Sequence, residues 1–289
     1  MSSSDTGTVT YLFALCAGRP PDGALAAVAG HSGGGPLRTL TAGAVHLVVQ
    51  DVPAADFGER ALTDRLNRPE ELRRCALAHH RGVAAAAPCG PVVPLPMATV
   101  YLSDGNAVSA VASREEAVLA VFRRLDGRTE WAVKVHAAAP EAAAGAAGSG
   151  SAGTGGPGTA VPGGRGYLSR ASARQRMRRD RHETARAVAR TVDLTLRRYA
   201  VDATAHRPQS EQLTGRRAPQ LLNAAYLVDD ARRAEFTAAL DRLRADGRLR
   251  EVEITSSGPW IPYSFARLDE QVPAAATTAA AGAAGTGTP

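Results

Sequence analysis

The residues able to do chemistry are few and scattered. His79 and His80 could bind a metal or carry a proton. Adjacent residues on a helix point about 100° apart, and no acidic or histidine partner stands nearby at ligand spacing. One packed and one exposed histidine is therefore expected. Arg181-His182-Glu183 sets a base beside an acid, but on a helix those two side chains also diverge. Glu130 could be a buried acid; strand alternation puts it on the opposite face from Trp131, where pairing with Lys134 is expected. The glycines of residues 30–36 (GHSGGGP) invite a phosphate-loop reading, yet no Gly-Lys-Ser/Thr follows and no helix opens there, so a turn is expected. Cys16, Cys75 and Cys89 are odd in number and lack CxxC spacing, which argues against a disulfide framework or a zinc knuckle and suits a reducing cytoplasm. No nucleophile, histidine and acid share a readable spacing. The expectation is a protein with no catalytic site, no cofactor and no metal.

What remains is charge on a scaffold. Residues 166–199 read GYLSRASARQRMRRDRHETARAVARTVDLTLRRY. Small or apolar residues recur at Ala173, Met177, Ala185, Val188, Val192, Leu196 and Tyr199, steps that predict one helix with a narrow apolar stripe. At ~1.5 Å per residue it would be roughly 50 Å long. Its other face carries Arg174, Arg178, Arg179, Arg181, Arg186, Arg190, Arg197 and Arg198, partly offset by Asp180, Glu183 and Asp193. The 289-residue chain has a formal charge of +6, and Lys134 is its only lysine. Aromatic content is 4%, whereas nucleic-acid surfaces interleave cations with stacking rings, so a solvated basic surface is favoured and no nucleic-acid partner is expected. No apolar run approaches the ~20 residues of a membrane helix, and the N-terminus lacks a basic leader region. A soluble cytoplasmic protein, off the membrane and without a small-molecule substrate, is expected.

Patterning orders the remaining elements. Strands are expected at 8–17, 44–52, 97–102, 129–136, 200–206, 221–228 and 249–255. Helices are expected at 56–67, from Pro69 to near Gly82, from Ser103 or Asp104 to Asp126, and from Asp229 or Asp230 to Ala245. Pro91, Pro94 and Pro96 confine their segment to a sheet edge. The Ala, Gly, Ser, Thr and Pro of residues 137–165 bring little apolar surface to offset ordering entropy, so a disordered insertion is expected there, and a disordered tail at 269–289. From Thr129 onward the order is β, long α, β, β, α, β, the split βαβ pattern. The expected fold is α+β in two domains, 1–127 and 128–268, the second ferredoxin-like with an unusually long first helix. About half of that helix should project beyond the sheet or pack on the first domain.

Several blocks in this order resemble the gas-vesicle F and L (GvpF/GvpL) family. They are Thr10-Tyr11-Leu12-Phe13-Ala14, Pro94-Leu95-Pro96-Met97-Ala98-Thr99-Val100, Gly127-Arg128-Thr129-Glu130-Trp131-Ala132-Val133-Lys134-Val135, Gly166-Tyr167-Leu168, Asn223-Ala224-Ala225-Tyr226-Leu227-Val228 and Gly258-Pro259-Trp260-Ile261-Pro262-Tyr263-Ser264-Phe265. Pro96-Met97-Ala98 stands where the family has arginine, an aromatic and glycine, and Ala132 where glycine is usual. The resemblance implies two α+β domains, the second ferredoxin-like, and a non-enzymatic role in building gas vesicles. It implies binding of the hydrophobic shell subunit, gas-vesicle protein A, to prevent aggregation during nucleation, contact with other accessory proteins, and a place at the vesicle shell. An electrostatic scaffold for accessory proteins is the alternative, ahead of a basic nucleic-acid binder. Trp260 and Tyr263, held by Pro259 and Pro262, read as a packing cap on the sheet, with an aromatic clamp for a partner as the sharper alternative. The candidate partner contacts are Arg174, Arg178, Arg181, Trp260 and Tyr263.

Overall fold

The strand β1 (Thr8–Cys16) is buried at every position after Thr8. A run without alternation is what a strand covered on both faces requires. This is a computed structural model, and it describes residues 7–138, 164–208 and 218–268. The expected insertion at 137–165 and the tail at 269–289 fall almost wholly outside the described residues. By contacts the chain divides into two compact units, Met1–Arg128 together with the segment from Ile261, and Thr129–Trp260.

In the first unit β1 pairs antiparallel with β3 (Val45–Pro53), which pairs with β2 (Arg38–Ala42). On its other side β1 takes two short strands, β4 (Val92–Pro94) and β5 (Val100–Tyr101). The helices are α1 (Asp22–Ala26), α2 (Ala54–Phe57), α3 (Glu59–Leu66), α4 (Pro69–Ala86), α5 (Asp104–Ala112) and α6 (Glu115–Leu125). Tyr11, Phe13, Val48, Val52, Phe57, Val83 and Ala86 form the core.

Four sequence expectations change here. The helix expected at 56–67 is two pieces, because Gly58 is extended at ψ 157. The helix from Pro69 continues past Gly82 to Ala86; a Cβ at Gly82 would collide with the Phe13 ring, so this glycine serves close packing, not termination. The helix expected from Ser103 to Asp126 breaks at Arg114, which leaves helical geometry at ψ 15. The strand expected from Met97 shrinks to two residues, because Ala98 takes a left-handed φ of 74.

The second unit contains β6 (Arg128–Ala137), α7 (Gly164–Arg197), β7 (Asp202–Ala205), β8 (Gln220–Asp229), α8 (Arg233–Ala245) and β9 (Val252–Trp260). Its sheet runs β7-β8-β6-β9. Trp131, Val133 and Val135 of β6 turn together into the core, as their alternation predicts, and meet Tyr226 and Val228 of β8. Val192 and Leu196 of α7 and Phe236 and Leu240 of α8 pack on the same cluster. The boundary differs from the expected 268, because Ile261 packs on the core of the first unit.

Among the described side chains of α7, the buried ones are Ala185, Ala189, Val192 and Leu196, all in its second half. Ala173 and Met177, expected on the buried stripe, are exposed, Met177 by 65%. The reason is length. Thirty-four helical residues extend about 51 Å, whereas the ten-residue strands extend about 33 Å.

Candidate partner-binding surfaces

His79 is held in place by internal bonds. His79 is buried, with Nε2 3.0 Å from the Leu95 carbonyl and Nδ1 3.1 Å from the Tyr11 hydroxyl. The Ala98 N–H donates to the same hydroxyl at 3.0 Å. Nε2–H therefore donates to Leu95, and Nδ1 accepts from Tyr11, which fixes the tautomer by its partners. Burial holds the His79 pKa below its ordinary value and the Tyr11 pKa above its own. His80 is exposed beside Tyr263, as expected of one packed and one exposed histidine. Among the described residues no group of three His, Cys, Asp or Glu side chains could hold a metal. Nor is any helix there long and apolar enough to cross a membrane.

The first unit has a second satisfied cluster. Arg38 donates to both oxygens of Asp104 at 2.8 Å and to Asp51, and Thr10 Oγ1 donates to Asp104. These bonds hold the Asp104 carboxyl below its usual pKa and tie the start of α5 to the sheet. Two shallow clefts in this unit are lined by charged side chains, one by Arg114, Glu116 and Arg123, the other by Asp56, Asp64 and Arg68. Neither brings a nucleophile to a base.

The second unit offers an edge. β9 ends the sheet, so among the described residues its outer side has no neighbouring strand. Ala138 N–H donates to the Glu251 carbonyl, and Ala137 faces Val252 in the register. Alternation along an antiparallel pair then turns the backbone groups of Val252, Ile254 and Ser256 outward. Arg244 of α8 covers part of this edge: Nε donates to the Ile254 carbonyl at 3.3 Å and a terminal nitrogen to Ser256 Oγ at 2.6 Å. Trp260, the last residue of β9, is 50% exposed.

Of the expected contact residues, Arg181 is exposed and forms an ion pair with Glu251 at 3.5 Å, just before β9. The side chains of Arg174 and Arg178 lie outside the described residues. Tyr263 belongs to the first unit, where its ring stacks on His80 at 6.4 Å and its hydroxyl lies 3.3 Å from His80 Nδ1. Burial pushes its phenol up to about 12. Trp260 and Tyr263 thus fall in different units. Sequence reasoning missed Arg176 and the outward edge of β9. The arginine is visible as one more member of a helical spacing, but edge status has no local signal.

These features define a mixed α/β protein built on two antiparallel sheets, with His79 committed to internal bonds. Residues 9–267 match the family described as "Gas vesicle synthesis protein GvpL/GvpF". The chain belongs to that family and is a protein of gas vesicle formation. It is 35% identical to gas vesicle protein L of Streptomyces sp. (strain CB03234) over 92% of this chain and 96% of that one. With gas vesicle protein F of the same strain the identity is 26%, over 80% of this chain and 87% of the other. Its fold is similar to the crystal structure of GvpF from Anabaena sp. PCC7120, with a TM-score of 0.60 at 13% identity over 90% of this chain and 97% of that chain. GvpF from Microcystis aeruginosa gives 0.54 at 14% identity, over 90% and 99%.

Proposed function

We propose that this chain is a non-enzymatic accessory protein of gas vesicle assembly that binds the hydrophobic shell subunit, gas-vesicle protein A, and keeps it from aggregating during nucleation. The observation that carries the reading is the open edge of β9 ending in a half-exposed tryptophan. An extended segment added at such an edge gains main-chain hydrogen bonds, and an aromatic anchor supplies apolar contact. We read the second unit as ferredoxin-like, on its element order and its strand order β7-β8-β6-β9. On this reading the protein works in the cytoplasm and at the vesicle shell, with the shell subunit and other accessory proteins as partners. It requires no nucleic acid, membrane, small-molecule substrate or cofactor.

The test is co-expression of the shell subunit alone, with this chain, and with Trp260→Ala. The chain should raise the soluble fraction of the subunit, and the variant should raise it less. Equal solubility with and without the chain would overturn the reading.

A further inference from the structure

The cations of α7 are not equivalent. Arg181 is paired with Glu251, and Arg197 with Asp193 at 2.9 Å. Arg176, Arg179, Arg186 and Arg190 have no hydrogen bond or ion pair among the described residues, and all four are exposed. At about 100° per residue, Arg179, Arg186 and Arg190 lie within about 40° of one another around the axis, with Arg176 beside them. The row extends roughly 21 Å along the helix. It lies on a different face from Ala185, Ala189, Val192 and Leu196, which bury the helix. Glu183 lies within the row as its one carboxylate. Like charges spaced four apart destabilise a helix, as Arg186 and Arg190 are. Four cations against the single carboxylate of Glu183 leave the row with an excess of positive charge.

We propose that this arginine row docks an acidic segment of a partner protein. Charge complementarity selects carboxylates, which guanidinium groups hold in bidentate pairs. The flank of the row selects protein over nucleic acid. Leu194, 65% exposed, and Ala187 lie one turn either side of Arg190 and offer an apolar contact to a side chain at that end of the row. None of residues 172–197 is Phe, Tyr or Trp, which leaves the half-buried His182 as the one aromatic ring there and no platform of interleaved rings to stack on bases. The occupant is thus a stretch of Glu or Asp with apolar residues interspersed. The inference rests on the accessory-partner half of the proposed function, and capture of the shell subunit at β9 does not enter it.

The test uses the full chain and fluorescence anisotropy. The probes are a fluorescein-labelled peptide of about 20 residues repeating Glu-Glu-Leu-Ala and a single-stranded DNA of matching length, at roughly 50 and 300 mM salt. The peptide should bind, and the triple change Arg179→Glu, Arg186→Glu and Arg190→Glu should weaken it by at least about tenfold. The same positions changed to Gln should also weaken it, and circular dichroism should show both variants helical. A second triple variant, Arg60→Glu, Arg73→Glu and Arg123→Glu, carries the same net charge and should leave binding unchanged. Absence of peptide binding, equal loss in the two Glu variants, or tighter binding of DNA than of peptide each overturns the proposal. The α7 variant should still hold the shell subunit soluble in co-expression, so a failure of the peptide experiment leaves the β9 reading standing, and the reverse.

Discussion

The Tyr11 hydroxyl lies 3.1 Å from His79 Nδ1, deep in the first unit, and the rings of Tyr11 and His31 are 4.2 Å apart. This packing holds two imidazoles neutral. Burial lowers His79, and burial, followed by the nearby His79, Arg65 and Arg81, lowers His31 to about 4.

Acid should therefore weaken the first unit already at pH values above those at which carboxylates alone cause acid unfolding. The unfolded histidines take up protons near pH 6.5, and the folded His31 only near pH 4. In that window the unfolded state binds more protons, so stability falls as pH falls, by up to about 3 kcal/mol from His31. Denaturant titrations between about pH 7.5 and 4 should show this slope. In His31→Leu the slope should be shallower; an unchanged slope would remove His31 as its source.

Ala98→Gly should stabilise the protein. Ala98 has a φ of 74, where a Cβ costs roughly 1–2 kcal/mol, while glycine loses about 0.4–1 kcal/mol more chain entropy on folding. The expected net gain is about 0.5–1 kcal/mol, read as a higher denaturation midpoint. Ala98→Val should move the midpoint the other way.

Tyr226→Phe should weaken the second unit. The Tyr226 hydroxyl donates to Asp193 Oδ1 at 2.7 Å, and burial together with this carboxylate raises its pKa. Losing a hydrogen bond to a charged group costs about 1.5–3 kcal/mol. Because Arg197 still pairs with Asp193, the low end of that range is expected. Equilibrium unfolding followed by far-ultraviolet circular dichroism measures it.

Arg244→Ala should uncover the edge of β9. The guanidinium caps the outward Ile254 carbonyl, and an uncapped edge invites strand addition. Light scattering with size exclusion should show more self-association at fixed concentration, with little change in melting temperature. A monomer as stable to association as the parent would argue that Arg244 does not guard this edge.

The sequence by itself determined the elements whose burial is periodic. Trp131, Val133 and Val135 face one core because alternation is built into a strand, and residues 166–197 form a helix because their spacing is helical. The absence of a readable catalytic spacing and the family blocks were equally legible, since both are carried by neighbouring residues. Only the tertiary structure decided what depends on residues distant in the chain. Phe13 makes Gly82 a packing site, sixty-nine positions away. The length of the sheet decides that Ala185 is buried and Met177 is not. Glu251 pairs Arg181, while Arg186 and Arg190 on the same helix have no partner among the described residues. Short strands such as β2, the position of β9 at an edge, and the free or paired state of a charge have no periodic signature, because each is settled by which segment folds alongside.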